Sequence, residues 1–480
     1  MTLYCPDFSS CRVLVAGDVM LDIYYWGDVG RISPEAPVPV VRVMDKSCTL
    51  GGAGNVALNL KGLGAQAILM GVRGDDRAGA DMAGTLAEHA IVDELVILPS
   101  HPTTTKTRVL GQGQQLVRLD EEQFWEGDPE AVDAMATAFE RLVDTVDVVI
   151  LSDYGKGFFS AGMAEAFIAR CVAAKVPVFV DPKGNDWSRY EGVTCITPNT
   201  REFMQACSLT VEDDHELEVQ AGAMIRRLKL DGLLVTRGGK GMSLFTGDAP
   251  PIHIPTEAKD VFDVSGAGDT VISVMAAAMG AGMPVSEAAA LANCAAGIVV
   301  QKVGTAPIDR VSLEIAVRGR QSEGPAKHFV LEDAVDMVAA WKKEQHQVVF
   351  TNGCFDLLHA GHIKLLHAAA REGDKLVVGI NSDDSVRRLK GESRPVLPEG
   401  ERAAILAAIG CVDMVIVFTE DTPLRLIDGL KPDVIVKGGD YTPETVVGRD
   451  LVESYGGRVC LVPLKDGVST TNIIKTVSGS

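Results

Sequence analysis

Short runs of Val, Ile and Leu alternate along the chain with longer Ala- and Leu-rich segments that have the helical period. In the first part of the chain, such apolar runs lie at residues 12–16, 67–71, 146–151, 176–180 and 232–236. Near-continuous apolar strands separated by helices are typical of a parallel sheet covered on both faces. Residues 38–43 and 104–120 instead alternate apolar with polar residues, as half-exposed strands do, and they predict a small second sheet.

A polar segment interrupts this pattern. Residues 318–328 (RGRQSEGPAKH) contain Gly and Pro between two apolar periodic regions, which favours a linker. We place the linker at 319–328, between a domain at 1–318 and a domain at 329–480. After an amphipathic segment at 329–341, the second domain has apolar runs that predict strands at 347–351, 375–380, 414–418, 433–436 and 458–462. The predicted fold class is therefore α/β, with two α/β domains of unequal size.

The composition of the 480-residue chain narrows the possible functions. Apolar residues make up 46% and charged residues 23%, as in ordinary globular proteins. A formal charge of −20 argues against binding of nucleic acid or of an anionic membrane. Ten cysteines without a CxxC pair argue against a zinc ribbon or a disulfide framework. With no signal-peptide pattern and no apolar run long enough to span a bilayer, we expect a cytoplasmic enzyme with no nucleic-acid or membrane partner.

The segment from Asp263 to Thr270 (DVSGAGDT) is followed at once by a long Ala-rich helical run. Glycines let a backbone approach a ligand closely, and the start of a helix directs free N–H groups outward. The segment therefore suits an anion hole for a phosphoryl group, with Asp269 placed to take a proton from a substrate hydroxyl. The alternative is a Gly-rich turn in which the helix dipole favours an acidic residue.

Polar and glycine residues also follow several other predicted strands. Near the N-terminus, the first strand ends at Gly17-Asp18, Asp22 follows, and Gly51-Gly52-Ala-Gly54-Asn55 opens a helix. Strand ends that carry such residues build a site along one sheet edge, although each residue alone is equally consistent with a turn or a cap. Further along the chain, the strand ends carry Asp181-Pro-Lys183, Pro198-Asn199-Thr-Arg-Glu202 and Thr236-Arg-Gly-Gly-Lys-Gly241.

In this order, these residues resemble the ribokinase-like carbohydrate kinases, over about the first two thirds of the chain. The resemblance implies that Asp269 is the catalytic base, and that the family's lid, which often pairs subunits, makes a homodimer. It implies a metal role for Glu202, which would organise Mg²⁺ indirectly. The implied anion hole is Gly266, Ala267 and Gly268; the implied sugar-binding residues are Asp18, Asp22, Gly52 and Asn55; and the implied ATP-binding residues are Asn199, Glu202, Thr236, Gly238, Gly241 and Asn293.

In the second domain, the strand at 347–351 runs into the sequence TNGCFDLLHAGH, which ends at His362. His359 and His362 lie three residues apart at the start of a predicted helix, so both rings share one face. A zinc site is one alternative, but no third Cys or His is suitably placed, and two solvated histidines are another. The glycine and the strand–loop–helix context favour a phosphate cradle, in which imidazoles and helix N–H groups stabilise a reacting α-phosphate.

This motif closely resembles that of the cytidylyltransferase-like nucleotidyltransferases, across essentially all of the last 135 or so residues. The resemblance implies that His359 and His362 bind the phosphate in the transition state. Asp356 either positions a metal or a histidine, or simply forms a turn. The implied nucleotide-binding residues are Thr351, Gly353, Phe355, Lys364, Arg394, Lys437, Gly439, Asp440, Ser469, Thr470 and Thr471.

Over nearly its full length, the chain is similar to the bifunctional heptose 7-phosphate kinase/heptose 1-phosphate adenylyltransferases. That family implies ATP and sugar phosphates as substrates and Mg²⁺ as cofactor, and leaves a K⁺ requirement open. Two rival functions stay open as well: the same chemistries on another sugar or alditol with CTP, and a non-catalytic sensor. A sugar that already carries phosphate needs a basic anchor, for which the candidates are Arg108, which we favour, and Lys183, Arg31 and Lys106.

Overall fold

The computed structural model describes residues 3–111, 114–208, 213–247, 249–256, 263–301, 304–321, 327–343, 345–438, 442 and 445–462. It divides into two compact units between Leu313 and Glu314. Among the described residues, no helix combines the length and the apolar character needed to cross a membrane.

The first unit contains a large sheet, a small sheet and nine helices among its described residues. Its strands are β1 (Arg12–Gly17), β2 (Val19–Ile32), β3 (Pro39–Gly52), β4 (Gln66–Gly74), β5 (Val92–Leu98), β6 (Thr105–Gly111), β7 (Gln114–Glu121), β8 (Val148–Ser152), β9 (Val178–Asp181), β10 (Cys195–Ile196), β11 (Gly232–Thr236), β12 (Met242–Phe245) and β13 (Ile252–Ile254). Its helices are α1 (Ala53–Gly62), α2 (Arg77–Glu88), α3 (Pro129–Val143), α4 (Met163–Ala174), α5 (Thr200–Cys207), α6 (Asp214–Leu228), α7 (Ala267–Gly280) and α8 (Val285–Val299). A ninth helix, α9 (Arg310–Gln321), begins in the first unit and continues into the second.

The large sheet has the order β13-β12-β11-β10-β9-β8-β1-β4-β5. Its strands from β11 to β5 run parallel, which confirms the predicted parallel sheet. The antiparallel pairing of β12 and β13 at one edge was not predicted; the connection from β11 to β12 is a short turn, too short for the crossover that a parallel pair requires. Chain order reverses at β1, which lies between β4 and β8, so a ligand crevice is expected at the carboxyl ends of these strands.

Gly17 allows β1 and β8 to end close together. A Cβ atom at this position would lie 2.1 Å from the carbonyl oxygen of Ser152, so any larger residue would push the strand ends apart. The residues that follow these two strands, Asp18 and Asp153, are consequently held at the same edge of the sheet.

The small sheet has the order β3-β2-β6-β7. It confirms the second sheet predicted from the alternating segments, but β3, with 14 residues, is longer than the segment predicted at 38–43. The sequence analysis missed β2, whose apolar and polar residues do not alternate regularly along its first half. Strand β2 pairs antiparallel with β3 and parallel with β6, and this pairing brings Asp22 beside β6.

The second unit contains one parallel sheet with the order β14-β17-β16-β15-β18-β19. Its strands are β14 (His328–Phe329), β15 (Val348–Gly353), β16 (Lys375–Asn381), β17 (Met414–Phe418), β18 (Val434–Gly438) and β19 (Arg458–Val462). Its helices are α10 (Leu331–Lys343), α11 (Ala360–Ala370), α12 (Asp383–Lys390), α13 (Glu399–Ala407), α14 (Leu424–Leu430) and α15 (Arg449–Ser454). Chain order reverses at β15, so the TNGCFD loop leaves the sheet at its switch point.

Secondary structure extends into both ends of the linker predicted at 319–328. Helix α9 continues through Gln321, and β14 begins at His328. The helix is anchored because Leu313 and Val317, four residues apart on one face, are both buried. The polar composition after Val317 concealed a helix that had already begun.

Candidate active sites

In the first unit, the carboxyl ends of β8 to β11 and the start of α7 line a cleft of about 910 Å³. This volume suits a nucleotide-sized ligand. The cleft brings together every residue predicted to bind ATP: Asn199, Glu202, Thr236, Gly238, Gly241, Gly266, Ala267, Gly268 and Asn293. Asp269 lines the same cleft.

Asp269 lies in the first turn of α7 and is only 5% exposed. Its two carboxylate oxygens are held from opposite elements of the fold. The Nδ2 group of Asn55, on α1, donates to Oδ2 over 2.6 Å, and the hydroxyl of Tyr154 donates to Oδ1 over 2.6 Å. The carboxylate is therefore fixed in orientation at the wall of the cleft.

Burial raises the pKa of Asp269 to about 6. The hydrogen bonds from Tyr154 and Asn55 oppose this rise because they stabilise the charged form, whereas the nearby charge of Asp22 adds to it. At neutral pH the carboxylate is ionised, and its proton affinity is closer to the working pH than that of an ordinary aspartate. This combination suits a general base.

The start of α7 is shaped for an anion. Gly266 is the N-cap and has φ +78°, and a Cβ at this position would lie 2.9 Å from Nδ2 of Asn55. A Cβ at Gly268 would meet nothing within 4 Å, so the space beside the first turn is open. Free N–H groups of a helix N-terminus facing open space form an anion-binding site.

The predicted sugar-binding residues Asp22, Gly52 and Asn55 lie where the small sheet joins the large one. Asp22 is buried, and its Oδ1 accepts from Nη1 of Arg108, on β6, over 2.5 Å. Gly52 has φ +58° as it caps α1. Oδ1 of the buried Asn55 has no hydrogen-bond partner among the residues that the structure describes, so it is an acceptor that suits a ligand hydroxyl.

Asp18 has a different role from the predicted one. Its carboxylate accepts from the main-chain N–H groups of Tyr154, Lys156 and Phe158, over 2.8, 3.0 and 3.1 Å. Burial raises its pKa, while these hydrogen bonds oppose that rise. Asp18 therefore holds the loop that follows β8, and its oxygens are already used.

Lys183 also differs from its prediction as a sugar-binding residue. Its ammonium group lies 3.0 Å from Oε1 of Glu202, and it lines the nucleotide cleft. Asn199 and Glu202 form a capping box at the start of α5, in which each side chain accepts from the other's main-chain N–H. The sequence indicated that Lys183 follows a strand, but not that Glu202 is its ion-pair partner.

Asp153 and Tyr154 at this site were not predicted, and Asp181 was noted only as a polar strand end without a role. Asp153 and Tyr154 directly follow β8, and Asp181 ends β9; all three line the cleft. Burial and the charge of Asp269 raise the pKa of Asp181. The signal that could have found Asp153 and Tyr154 was available, because polar residues after a buried strand marked the other parts of the site.

In the second unit, His359 is the N-cap of α11 and His362 lies in its first turn. The two rings stack with centroids 3.9 Å apart. Burial, followed by the neighbouring His359 and Lys390, lowers the pKa of His362 to about 4. His362 is thus a neutral imidazole at physiological pH, and within the described part of the chain its buried Nδ1 has no hydrogen-bond partner.

The zinc alternative gains no support. Among the described residues, no three His, Cys, Asp or Glu side chains are grouped so that they could hold a metal ion. Instead, the stacked histidines lie at a helix N-terminus that follows the sheet's switch point, which is a suitable place for a phosphate.

The loop between β15 and α11 shapes this place. Thr351 is fully buried with an unpartnered hydroxyl, and Phe355, at φ +45°, packs into the core with its ring 5.1 Å from that of His362. Gly353 lies under the Phe355 ring, because a Cβ there would be 3.3 Å from it. Phe355 therefore supports His362, and Lys364 is exposed on α11.

Among the alternatives for Asp356, its hydrogen bonds favour a role in holding a loop. It accepts from the guanidinium of Arg394 and from the main-chain N–H of Val396, the latter over 2.6 Å. A second nitrogen of Arg394, Nη2, is buried and has no hydrogen-bond partner among the described residues, so it is a donor that an anion could use.

Lys437 is the second-last residue of β18, which pairs with β15. Its ammonium group donates to Oδ1 and to the carbonyl oxygen of Asn352, over 2.6 and 3.1 Å, and burial lowers its pKa to about 8. The remaining predicted residues lie outside the described part of the chain: Gly439, Asp440, Ser469, Thr470 and Thr471.

Arg402, which the sequence analysis did not select, is a buried cation that ties this site together. It is 1% exposed. Its guanidinium donates to the carbonyl oxygens of Cys354, Asn381 and Leu397 over 2.6, 2.9 and 3.0 Å, and to Asp383 over 2.6 Å. It therefore joins the ends of β15 and β16 to the loop that carries Arg394.

Comparisons with known proteins agree with the folds of the two units. Residues 11–310 match the model of the pfkB family carbohydrate kinases, and residues 350–476 match the cytidylyltransferase-like model. Among solved structures, Arabidopsis thaliana ribokinase with ribose and ATP aligns with a TM-score of 0.52 at 22% identity, covering 64% of this chain and 99% of that one. Escherichia coli phosphofructokinase-2 with potassium gives 0.55 at 16% identity, covering 65% and 100%. At these identities the likeness concerns the fold.

Fold and sites thus define a class in which a carbohydrate kinase and a nucleotidyltransferase share one chain. The bifunctional protein HldE of Syntrophotalea carbinolica is 48% identical over 99% of this chain and 97% of its own, and that of Photorhabdus laumondii is 48% identical over 99% of both. The chain belongs to this family of bifunctional HldE proteins. It is an ATP-using kinase and nucleotidyltransferase, and both resemblances inferred from the motifs are confirmed.

Replacing Arg402 with Met should strongly destabilise the second unit. The substitution leaves three carbonyl oxygens and the Asp383 carboxylate without their donor, and breaking a buried pair in this way costs about 3–5 kcal/mol. We expect a lower midpoint for the unfolding transition of the second unit in calorimetry.

Arg425→Met is the matched control, since Arg425 pairs with Glu420 at the surface, with 69% of its side chain exposed. Loss of such a pair costs about 1 kcal/mol or less. Equal melting of the two variants would show that Arg402 does not hold the strand ends together.

Proposed function

We propose that the chain makes a nucleotide-activated heptose in two ATP-dependent reactions. The kinase domain phosphorylates D-glycero-β-D-manno-heptose 7-phosphate at C1 to give the 1,7-bisphosphate. After a separate phosphatase has removed the C7 phosphate, the second domain transfers AMP from ATP to the 1-phosphate, giving ADP-heptose and pyrophosphate for lipopolysaccharide core synthesis. The observation that carries this proposal is the presence, in one chain of the HldE family, of the buried Asp269 at an open helix start and of the stacked His359 and His362.

In the kinase step, Asp269 accepts the proton of the C1 hydroxyl while the oxygen bonds to the γ-phosphorus of ATP. The bond from that phosphorus to the bridging oxygen breaks, and ADP leaves. The N–H groups at the start of α7, beside Gly266 and Gly268, receive the charge that develops on the transferred phosphoryl group. Asp22, Asn55 and Arg108 hold the sugar phosphate against this point.

The residues fit Mg²⁺ that arrives with ATP. No described cluster of side chains could hold the ion alone, as expected for an ion that is bound mainly through substrate phosphates. Glu202 lines the cleft, and it would bind Mg²⁺ indirectly. Mg²⁺ neutralises charge on the phosphates when bound. A K⁺ requirement stays a prediction.

In the transferase step, a phosphate oxygen of the sugar 1-phosphate attacks the α-phosphorus of ATP, and the bond to the bridging oxygen breaks to release pyrophosphate. No protein nucleophile is required, so the protein binds and orients the two substrates. The neutral His362, the N-terminus of α11 and the cationic groups of Lys437 and Arg394 stabilise the phosphate in the transition state.

The proposal includes a cytoplasmic homodimer. ATP and sugar phosphates are cytoplasmic metabolites, and the small sheet has exposed apolar side chains at Ile32, Met44 and Leu119, which are 70%, 64% and 55% exposed. Exposed apolar groups on one sheet support pairing through that sheet. Domains at 1–318 and 329–480 are part of the same proposal.

Phosphorus NMR of the purified protein tests both reactions in order. With Mg-ATP and D-glycero-D-manno-heptose 7-phosphate we expect a new anomeric phosphate signal, and after addition of phosphatase a pyrophosphate-bridged ADP-sugar. If no signal appears with heptose but another sugar phosphate or CTP reacts, the substrate assignment is wrong while the two reaction types stand.

The two reactions should be separable by mutation. Asp269→Asn removes the base and should lower the kinase rate by about 10²-fold or more, and His362→Ala should lower the nucleotidyl transfer by a similar factor. Each variant serves as the control for the other, with both activities assayed by product formation. Loss of both activities in either variant would contradict two independent sites.

Arg108→Ala should weaken binding of the sugar phosphate. The variant loses a charge-assisted contact and leaves Asp22 as an unpaired carboxylate, so we expect KM for the sugar phosphate to rise about tenfold or more while KM for ATP stays constant. Arg118→Ala is the control, because Arg118 lies opposite Arg108 on β7 and pairs with Asp120. An unchanged KM in the Arg108 variant would remove Arg108 from the sugar site.

A further inference from the structure

The loop of residues 153–158, which follows β8, lies at the kinase site but has no role in the proposed reaction. It carries Tyr154, whose hydroxyl donates to Oδ1 of Asp269 over 2.6 Å. Tyr154 is partly buried and lines the nucleotide cleft. The proposed kinase reaction gives Asp269 a role but gives none to the group that contacts it.

The loop is fastened from the first strand of the sheet. Asp18, which follows β1, accepts from three alternate main-chain N–H groups of the loop, those of Tyr154, Lys156 and Phe158. A buried carboxylate with three main-chain donors is a strong anchor, since each such hydrogen bond is charge-assisted. The backbone that carries Tyr154 is thus fixed on the edge of the large sheet.

A second anchor holds the loop at its first residue. Asp153 is buried and accepts from the N–H of Gly155 over 2.8 Å, from Arg189 over 2.7 Å and from the hydroxyl of Tyr190 over 2.5 Å. The loop is therefore held from both sides, and the Tyr154 side chain extends from a rigid support.

The loop also contacts the small sheet. The ammonium group of Lys156 lies 2.6 Å from Glu122, and Glu122 lies 3.4 Å from Lys106 on β6. The sheet that carries Asp22 and Arg108 is consequently connected to the same short loop that contacts the base.

We propose that Tyr154 is a positioning residue for the kinase step, because the fastened loop holds its hydroxyl against Asp269 and fixes the orientation of that carboxylate. The inference rests on the proposed role of Asp269 as the base. With Tyr154 on Oδ1 and Asn55 on Oδ2, the carboxylate cannot rotate without losing a hydrogen bond. Its remaining lone pairs are left for the substrate hydroxyl.

The hydroxyl of Tyr154 stays a donor throughout the range in which the enzyme can be assayed. Burial and the charges of Asp269, Asp181 and Asp22 raise the pKa of Tyr154 well above its ordinary value. A donor that is never ionised stabilises the charged form of Asp269 and lowers the pKa of that carboxyl. Without the donor, Asp269 must hold its proton to a higher pH.

Tyr154→Phe tests the proposal. It removes one oxygen atom and leaves the ring in place, so the acid limb of the kinase pH profile of kcat/KM should move to higher pH by about one unit. The other charged groups around Asp269 are unchanged in this variant: Asp22 with its partner Arg108, and Asp181 with the nearby pair Lys183 and Glu202.

Tyr190→Phe is the matched control. This variant also removes one tyrosine hydroxyl from a residue that anchors the same loop, but Tyr190 contacts Asp153 and not Asp269. The acid limb of the kcat/KM profile of this variant should stay at the wild-type pH even if the kinase rate falls. The pH of the acid limb is obtained from the shape of the profile, so it does not depend on the fraction of the protein that is active. The phosphate groups of the substrates ionise identically in every assay.

The outcomes distinguish the inference from the function on which it rests. A limb that does not move in Tyr154→Phe, or that moves equally in Tyr190→Phe, overturns the positioning role. A raised KM for the sugar phosphate with an unmoved limb would make Tyr154 a substrate contact and overturn it as well. If Asp269→Asn keeps its kinase activity, the proposed base itself is wrong.

Discussion

The kinase site depends on one constraint, which is that a carboxylate removed from water must receive hydrogen bonds from the protein. Asp269 meets it with donors from two separate elements, Asn55 on α1 and Tyr154 after β8. These donors explain other features in turn: Gly266 must lack a Cβ because Asn55 approaches it, and Asp18 must hold the loop that presents Tyr154. The arrangement of strand ends, helix start and loop follows from keeping a single charge in place.

The candidate site of the second unit has the opposite character, since cations and a neutral imidazole take the place of the carboxylate. Arg402 is buried but fully used, donating to carbonyl oxygens at the ends of β15 and β16. Arg394 is held by Asp356 through one nitrogen and keeps another unpartnered. Arg402 therefore fixes the backbone, whereas Arg394 keeps a donor that suits a ligand.

The sequence predicts elements better than it predicts partners. The runs at 232–236, 414–418 and 458–462 coincide with β11, β17 and β19, because a continuous apolar run has few alternatives to a buried strand. Motif residues such as Asp269 were placed correctly at a helix start because glycines and an Ala-rich run mark it locally. Tyr154 and the loop contact of Asp18 were not foreseen, because these two residues lie 136 positions apart in the chain and no local pattern contains such a pair.

The protonation states at the two sites favour a common working range. Asp269 is an ionised base above its pKa of about 6, and His362, whose pKa is about 4, is already neutral there. Lys437 keeps its charge only below its pKa of about 8. Burial produces all three shifts, and it acts in the direction that disfavours the charged form of each group. An ionised carboxylate, a neutral imidazole and a protonated lysine therefore coexist near neutral pH, and one physical cause sets the charge state of all three groups.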